Sequence, residues 1–465
     1  MVYLISVDLP KSYKKLTLAS PDDMRNYIGL GTSELREALT GDGINVAVID
    51  TGIDKDHDAF SNGESRITYH DVVYNETLPE DRDGHGTWVA SILGGNSPSY
   101  TGIAPLVNIT MIRAFFGTPA ISNISTIQKA IEWILLKNNI LSVRITSMSL
   151  GLSYEASEAT TKLFNDIVEQ LTEQDILVVA AAGNYGYEGF RTIESPASAE
   201  TVLAVGGVDY NGNMYFRSAK GPTYDNRIKP DVCAPAVNIE GAIANSTPNL
   251  YGTGSGTSAS TPFVSGLAAL MLEKNYSLSA LELKSIISLT SYRTIEPRTI
   301  KDNIQGWGVV QGYAAIDALN PPTEITTNSQ FGFSLNDTQP VLCIPINTIG
   351  VSNYFLQLNQ LGSAEAEMYL FDKEPDEAGN PQLLTHSISA FEPFDKLNRI
   401  GLSSLTSDQY YLVVKLVHGT GTGDFSITMV VEYRMTFFLI FAGLNLLGLT
   451  YIGFQYKKYI NLKIR

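Results

Sequence analysis

The chain has 465 residues, 44 % hydrophobic and 17 % charged, a balance that supports a sizeable packed core and excludes a disordered chain. Its formal charge of −16 and pI near 4.8 argue against a nucleic-acid partner, which favours basic patches. Two cysteines, Cys233 and Cys343, are too few for a disulfide framework, and no CxxC pair suggests zinc. Cys233, between Val232 and Ala234, reads as a small buried core residue.

Residues 1–25 form a lead-in segment without a strong period. From about residue 26 to 320, strand-like apolar runs alternate with helix-like runs. INVAVID (44–50), VRITSMSLG (143–151), ILVVAAAGN (176–184) and TVLAVGGVD (201–209) read as strands. Between them, 122–139 carries Ile124, Ile127, Ile131 and Leu135 on one helical face, with Ser122 as the expected N-cap. Residues 160–174 read as a second helix, and 258–274 as one rich in small residues. This alternation predicts an α/β fold, a mostly parallel sheet with helices on both faces.

Pro321 and Pro322 open a linker, 321–330. Residues 331–432 then show short alternating runs and turn signals, expected for a small all-β sandwich. Residues 435–454 hold no charge and would span about 30 Å as a helix, the hydrocarbon thickness of a bilayer. A basic tail, 455–465, follows. The expectation is one C-terminal transmembrane helix, with a buried C-terminal helix as the alternative.

Four short segments carry chemistry. Asp50 ends the strand of VIDTGID, where α/β sheets gather ligands. His85 lies between two glycines in DGHGTWVASILGG, which leaves the imidazole accessible. Asn184 ends the strand of AAAGN, where its amide can donate to a developing oxyanion. Ser258 opens a helix after the glycine-rich GTGSGT, and helix N-termini favour negative charge. Each residue type also has a plain structural use in turns or caps. The combination is what points to acyl transfer.

In that order, VIDTGID, GHGT, AAGN and GTSASTP resemble the subtilisin-like serine proteases. GIAP (102–105), SMSLG (147–151), KPDVCAP (229–235) and GWGVVQGYAAIDAL (306–319) extend the resemblance across about residues 25–319. It implies Ser258 as nucleophile, His85 as base, Asp50 as orienting carboxylate and Asn184 in the oxyanion hole. It implies that Ser149, Leu150 and Gly151 pair with an extended polypeptide substrate, and that Gly183 lines the pocket for the residue before the scissile bond. Trp88, Ala259, Ser260 and Ala236 depart from the usual pattern, and residues 115–123 match one cleft wall poorly. The β-region, through AEMYLFD and QYYLVVKLVHGTGTGDFSITM, resembles the pre-peptidase C-terminal domains of secreted proteases.

No cofactor is required by such chemistry. Calcium enters only as a candidate structural ion, at the alternating Asp54, Asp56 and Asp58, for which an ordinary acidic loop is the alternative. Expected partners are polypeptide substrates and a membrane, with no nucleic acid and no obligate protein partner. The basic tail predicts a single-pass protein of the cell membrane, with its catalytic domain outside and its C-terminus in the cytoplasm. Neither a signal peptide nor an inhibitory prosegment is recognisable before Asp50, so a start further upstream and a tail-anchored cytoplasmic enzyme both stay open. The functional alternative is a catalytically inactive subtilisin fold used for binding.

Overall fold

The computed structural model describes residues 1–4, 25–26, 28–30, 38–61, 66–246, 250–295, 301–324, 330–347, 354–361, 365–387, 398–401, 409–417 and 422–431. The 435–454 segment read as a transmembrane helix lies outside them. Among the described residues, no helix is long and apolar enough to cross a membrane.

Seven strands build the central sheet: β1 (Asn45–Asp50), β2 (Ile67–Asp71), β3 (Asn108–Arg113), β4 (Val143–Met148), β5 (Leu177–Ala181), β6 (Leu203–Val208) and β7 (Val232–Pro235). Their order is β7-β6-β5-β4-β1-β3-β2, every pair parallel. Helices α1 (His85–Gly94), α2 (Ile124–Leu141), α3 (Glu158–Thr172), α4 (Thr257–Lys274) and α5 (Ala280–Leu289) are placed with it. Parallel sheets survive only when both faces are covered, and the β-branched runs of β1 and β5 meet that demand. Val46 and Val48 face one apolar core, with residues of α1, α4 and α5. Ala47 and Ile49 face the other, with residues of α2 and α3.

Three strands escape the sequence pattern. β2 and β3 carry Tyr, His, Asn, Thr and Arg, which hide their periodicity, and β7 is only four residues long. The polar content of β3 is accommodated by pairing: Arg113 is buried, with its guanidinium 2.9 Å from Glu76 and 3.2 Å from Glu80. The N-cap of α2 is Asn123 rather than Ser122. Its carboxamide oxygen accepts from Thr126 N at 3.0 Å, while Ser122 is taken into a short strand, Ile121–Ser122. α3 begins two residues early because Ser157 caps it.

The lead-in is not idle. Val2–Leu4 forms a strand between Ile121–Ser122 and Leu150–Leu152, antiparallel to both. Tyr3 stands opposite Gly151 and Ile121.

Beyond the sheet, the chain forms two packed antiparallel layers. β8 (Thr323–Glu324), β10 (Val341–Asn347), β12 (Ala366–Asp372), β13 (Leu383–His386) and β15 (Gln409–Leu416) make one. β9 (Gln330–Leu335), β11 (Tyr354–Leu361), β14 (Asn398–Gly401) and β16 (Gly423–Val431) make the other. Within the first layer only the β8–β10 pair is parallel. Met368, Leu412, Leu356 and Phe425 fill the space between the layers. Its outer face packs on the α/β unit: Val341, Cys343, Phe371, Tyr411 and Val413 share a core with Trp307 and Tyr313. Both cysteines are free and buried.

Candidate active site

The site forms at the carboxyl ends of β1, β4 and β5, beside the point where strand order reverses, which is where open α/β sheets leave a crevice. Asp50 is the last residue of β1 and is fully buried. Its Oδ1 lies 2.7 Å from His85 Nδ1 and also accepts from Thr51 N at 2.8 Å. The carboxylate can only accept, so Nδ1 must carry the hydrogen, leaving Nε2 as the lone-pair nitrogen. Burial opposes a charge on the imidazole, but the Asp50 carboxylate, aided by Asp83 and Asp81, outweighs it and holds the His85 pKa above its ordinary value.

His85 is the first residue of α1. Its N-cap, Gly84, has φ +99°, a region glycine enters without penalty, but it offers no side chain to cap the helix. Asp81 does this instead. Its carboxylate accepts from Gly84 N (2.8 Å), Thr87 N (2.8 Å), Thr87 Oγ1 (2.6 Å) and Thr51 Oγ1 (2.8 Å). Thr51 Oγ1 in turn accepts from Gly86 N at 2.8 Å. A bare glycine before a helix was the signal that some side chain must reach in from elsewhere. Sequence reasoning did not single out Asp81 or Thr51.

Asn184 follows β5 and is buried. Its Oδ1 accepts from Thr257 N at 3.1 Å and Thr257 Oγ1 at 3.2 Å. A backbone N–H only donates, so this contact fixes the amide: oxygen towards Thr257, NH₂ the other way. Ser258, next in the chain, sits in the first turn of α4, also buried. Ser149 Oγ donates to the Ser258 carbonyl at 3.0 Å. Ser149 thus secures the turn that carries Ser258, while Leu150 turns its side chain into the apolar core and its backbone pairs with Leu4. α1 packs against α4.

The expected hydroxyl–imidazole contact is not made. His85 Nε2 is buried and, among the described residues, has no hydrogen-bond partner. Bonds of this kind commonly tighten only once substrate is bound.

A sequence model described as the subtilase family, peptidase S8, matches residues 41–308, more than half of the chain. The chain belongs to the subtilase family. Among the subtilases it resembles is serine protease AprX of Bacillus subtilis (strain 168), 34 % identical over 283 residues, which are 54 % of this chain and 62 % of AprX. M-protease of Shouchella clausii (strain KSM-K16) is 32 % identical over 279 residues, 60 % of this chain and 65 % of M-protease. Subtilisin Savinase of Lederbergia lenta is 32 % identical over 279 residues, 60 % of this chain and 92 % of Savinase. The chain therefore spans less than two thirds of AprX and of M-protease.

Two departures from the usual subtilase pattern have local explanations. Trp88 is buried against Gly241, where an added Cβ would come within 2.3 Å of the indole. The cleft wall that matches poorly in sequence supplies Ile121–Ser122, which pairs with Val2–Tyr3.

The acidic triplet makes local contacts. Asp54 Oδ2 accepts from Asn245 N at 2.8 Å, Asp56 pairs with Lys55 at 2.5 Å, and Asp58 lies in a short 3-10 turn. Among the described residues, no group of three or more His, Cys, Asp or Glu side chains is arranged to hold a metal ion.

Proposed function

We propose that this subtilase is a serine endopeptidase working through an acyl-enzyme, held to a membrane by residues 435–454. The observation that carries the first part is the buried Asp50–His85 hydrogen bond, which leaves Nε2 as a base beside the helix that bears Ser258. Ser258 Oγ attacks the scissile carbonyl as His85 Nε2 takes its proton. The same nitrogen later delivers that proton to the leaving amine. Asp50 keeps the tautomer and stabilises the imidazolium. The NH₂ of Asn184 and the Ser258 N–H donate to the oxyanion, each such donor contributing about 3 kcal/mol. The backbone of Ser149, Leu150 and Gly151 receives the substrate as an added strand. That this edge already accepts an antiparallel strand, Val2–Leu4, supports the reading.

The anchor rests on 20 uncharged residues followed directly by a basic tail, which orients the catalytic domain outwards. The β-sandwich, similar to a pre-peptidase C-terminal domain, separates the active site from the bilayer.

A fluorophosphonate probe tests both parts. The full chain should label covalently in the membrane fraction. Ser258→Ala should not label, and removal of residues 435–465 should release labelled protein into the soluble fraction. Equal labelling of wild type and Ser258→Ala would leave an inactive binding protein as the better account. Labelled full-length protein in the soluble fraction would remove the anchor.

A further inference from the structure

Gly151 and Gly183, the two glycines assigned to substrate binding, share a neighbour. A Cβ on Gly151 would stand 2.1 Å from Glu194 Oε2, and one on Gly183 would stand 2.8 Å from Glu194 Cγ. The Glu194 carboxyl is therefore wedged between the strand Leu150–Leu152 and the turn after β5. The backbone fixes it there: Glu194 N donates to Ala182 O at 3.0 Å, and Leu152 N donates to Ser195 O at 2.7 Å. Only 4 % of the residue is exposed.

Other buried carboxylates of the α/β unit are held by donors. Asp50 has His85 and Thr51 N. Asp81 has five donors, from Thr51, Asp83, Gly84 and Thr87. Asp231 has Lys229, Lys301 and Ala204 N. Glu194 has none among the described residues, and burial alone pushes its pKa up to about 8. A buried carboxyl without a partner is costly, and a cation arriving from outside would remove the cost.

We propose that Glu194 is the acidic floor of the pocket for the residue before the scissile bond, and that it selects lysine or arginine there. This rests on the peptidase reading above. The absent side chains of Gly151 and Gly183 leave the space that the carboxyl occupies beside the two substrate-binding segments. An incoming guanidinium or ammonium displaces the Glu194 proton to solvent and forms a charge-assisted pair, bidentate for arginine. Tyr154 and Tyr185, with ring centroids 5.2 Å apart, flank the same two segments and offer faces for the apolar stem.

The test uses peptides identical except for Arg, Lys, Gln or Phe before the scissile bond, with kcat/KM measured on the full chain. Wild type should prefer Arg and Lys over Phe by more than about tenfold. Glu194→Gln keeps the volume and removes the charge, and should lower the Arg-to-Phe ratio by about a hundredfold. Glu194→Asp keeps the charge but draws it back, and should retain the cationic preference while favouring Arg over Lys. Fluorophosphonate labelling of Ser258 in each protein reads the nucleophile independently of the pocket. Labelled wild type with no cationic preference, or a ratio unchanged by Glu194→Gln, overturns the assignment and leaves the peptidase reading intact. A uniform loss across all four peptides would make Glu194 structural and likewise overturn it. An unlabelled wild type removes both.

Discussion

At the scale of single residues, position depends on carboxylates doing different jobs. Asp81 accepts from five donors and so ties the end of β1, the loop before His85 and the first turn of α1 into one unit. Asp81→Ala strands buried donors, among them the Thr51 and Thr87 hydroxyls, at about 1–3 kcal/mol for a group left unsatisfied. We expect the variant to lose about 2–4 kcal/mol in urea unfolding, and its kcat to fall more than its KM rises, because the imidazole loses its platform. An unfolding midpoint within error of wild type would show that the donors find other partners. The positions of Asp50, His85, Asn184 and Ser258 were legible because each stands at or beside a strand end or helix start that the apolar pattern marks. Asp81 and Glu194 were not. What a carboxylate faces is decided by segments far away in the chain, and neither residue interrupts a periodic run.

At the scale of elements, the helix of small residues and the strands β1, β4, β5 and β6 could be read from their apolar runs. The neighbouring strands β2 and β3 could not, since the burial of Arg113 in β3 depends on partners such as Glu76 and Glu80 that meet it from another loop. The N-terminal strand was also invisible, as three residues have no measurable period. Its place has a kinetic meaning. Val2–Leu4 covers the backbone edge of Leu150–Leu152 that overlaps the proposed substrate strand, so the two would exclude each other. Removing residues 1–4 should lower the apparent KM several-fold, about in proportion to the time the strand occupies the cleft, with kcat little changed. An unchanged KM in peptide assays would mean that substrates bind without displacing it.

At the scale of the whole molecule, the sandwich could be read from alternating runs and turn residues, but its docking could not, because the contacts come from both units. Val341 N donates to Tyr313 Oη at 2.7 Å, Lys415 Nζ to Ser291 O at 2.6 Å, and Lys284 Nζ to Ala378 O at 2.7 Å. Phe371 meets Trp307 edge-on, with ring centroids 6.1 Å apart. Burial pushes the Lys415 ammonium down to about 7. Interfaces between domains are often small and polar, and the units then move independently. Here apolar side chains of both units form one cluster, so the covalent connection is not what keeps them together. A single proteolytic nick within 321–330 should leave two fragments that co-elute in native gel filtration and separate only in denaturant. Both should melt in one calorimetric transition, and two resolved transitions would show the halves to be energetically separate bodies. In a chain built this way, loosening the sandwich would loosen the α/β unit with it.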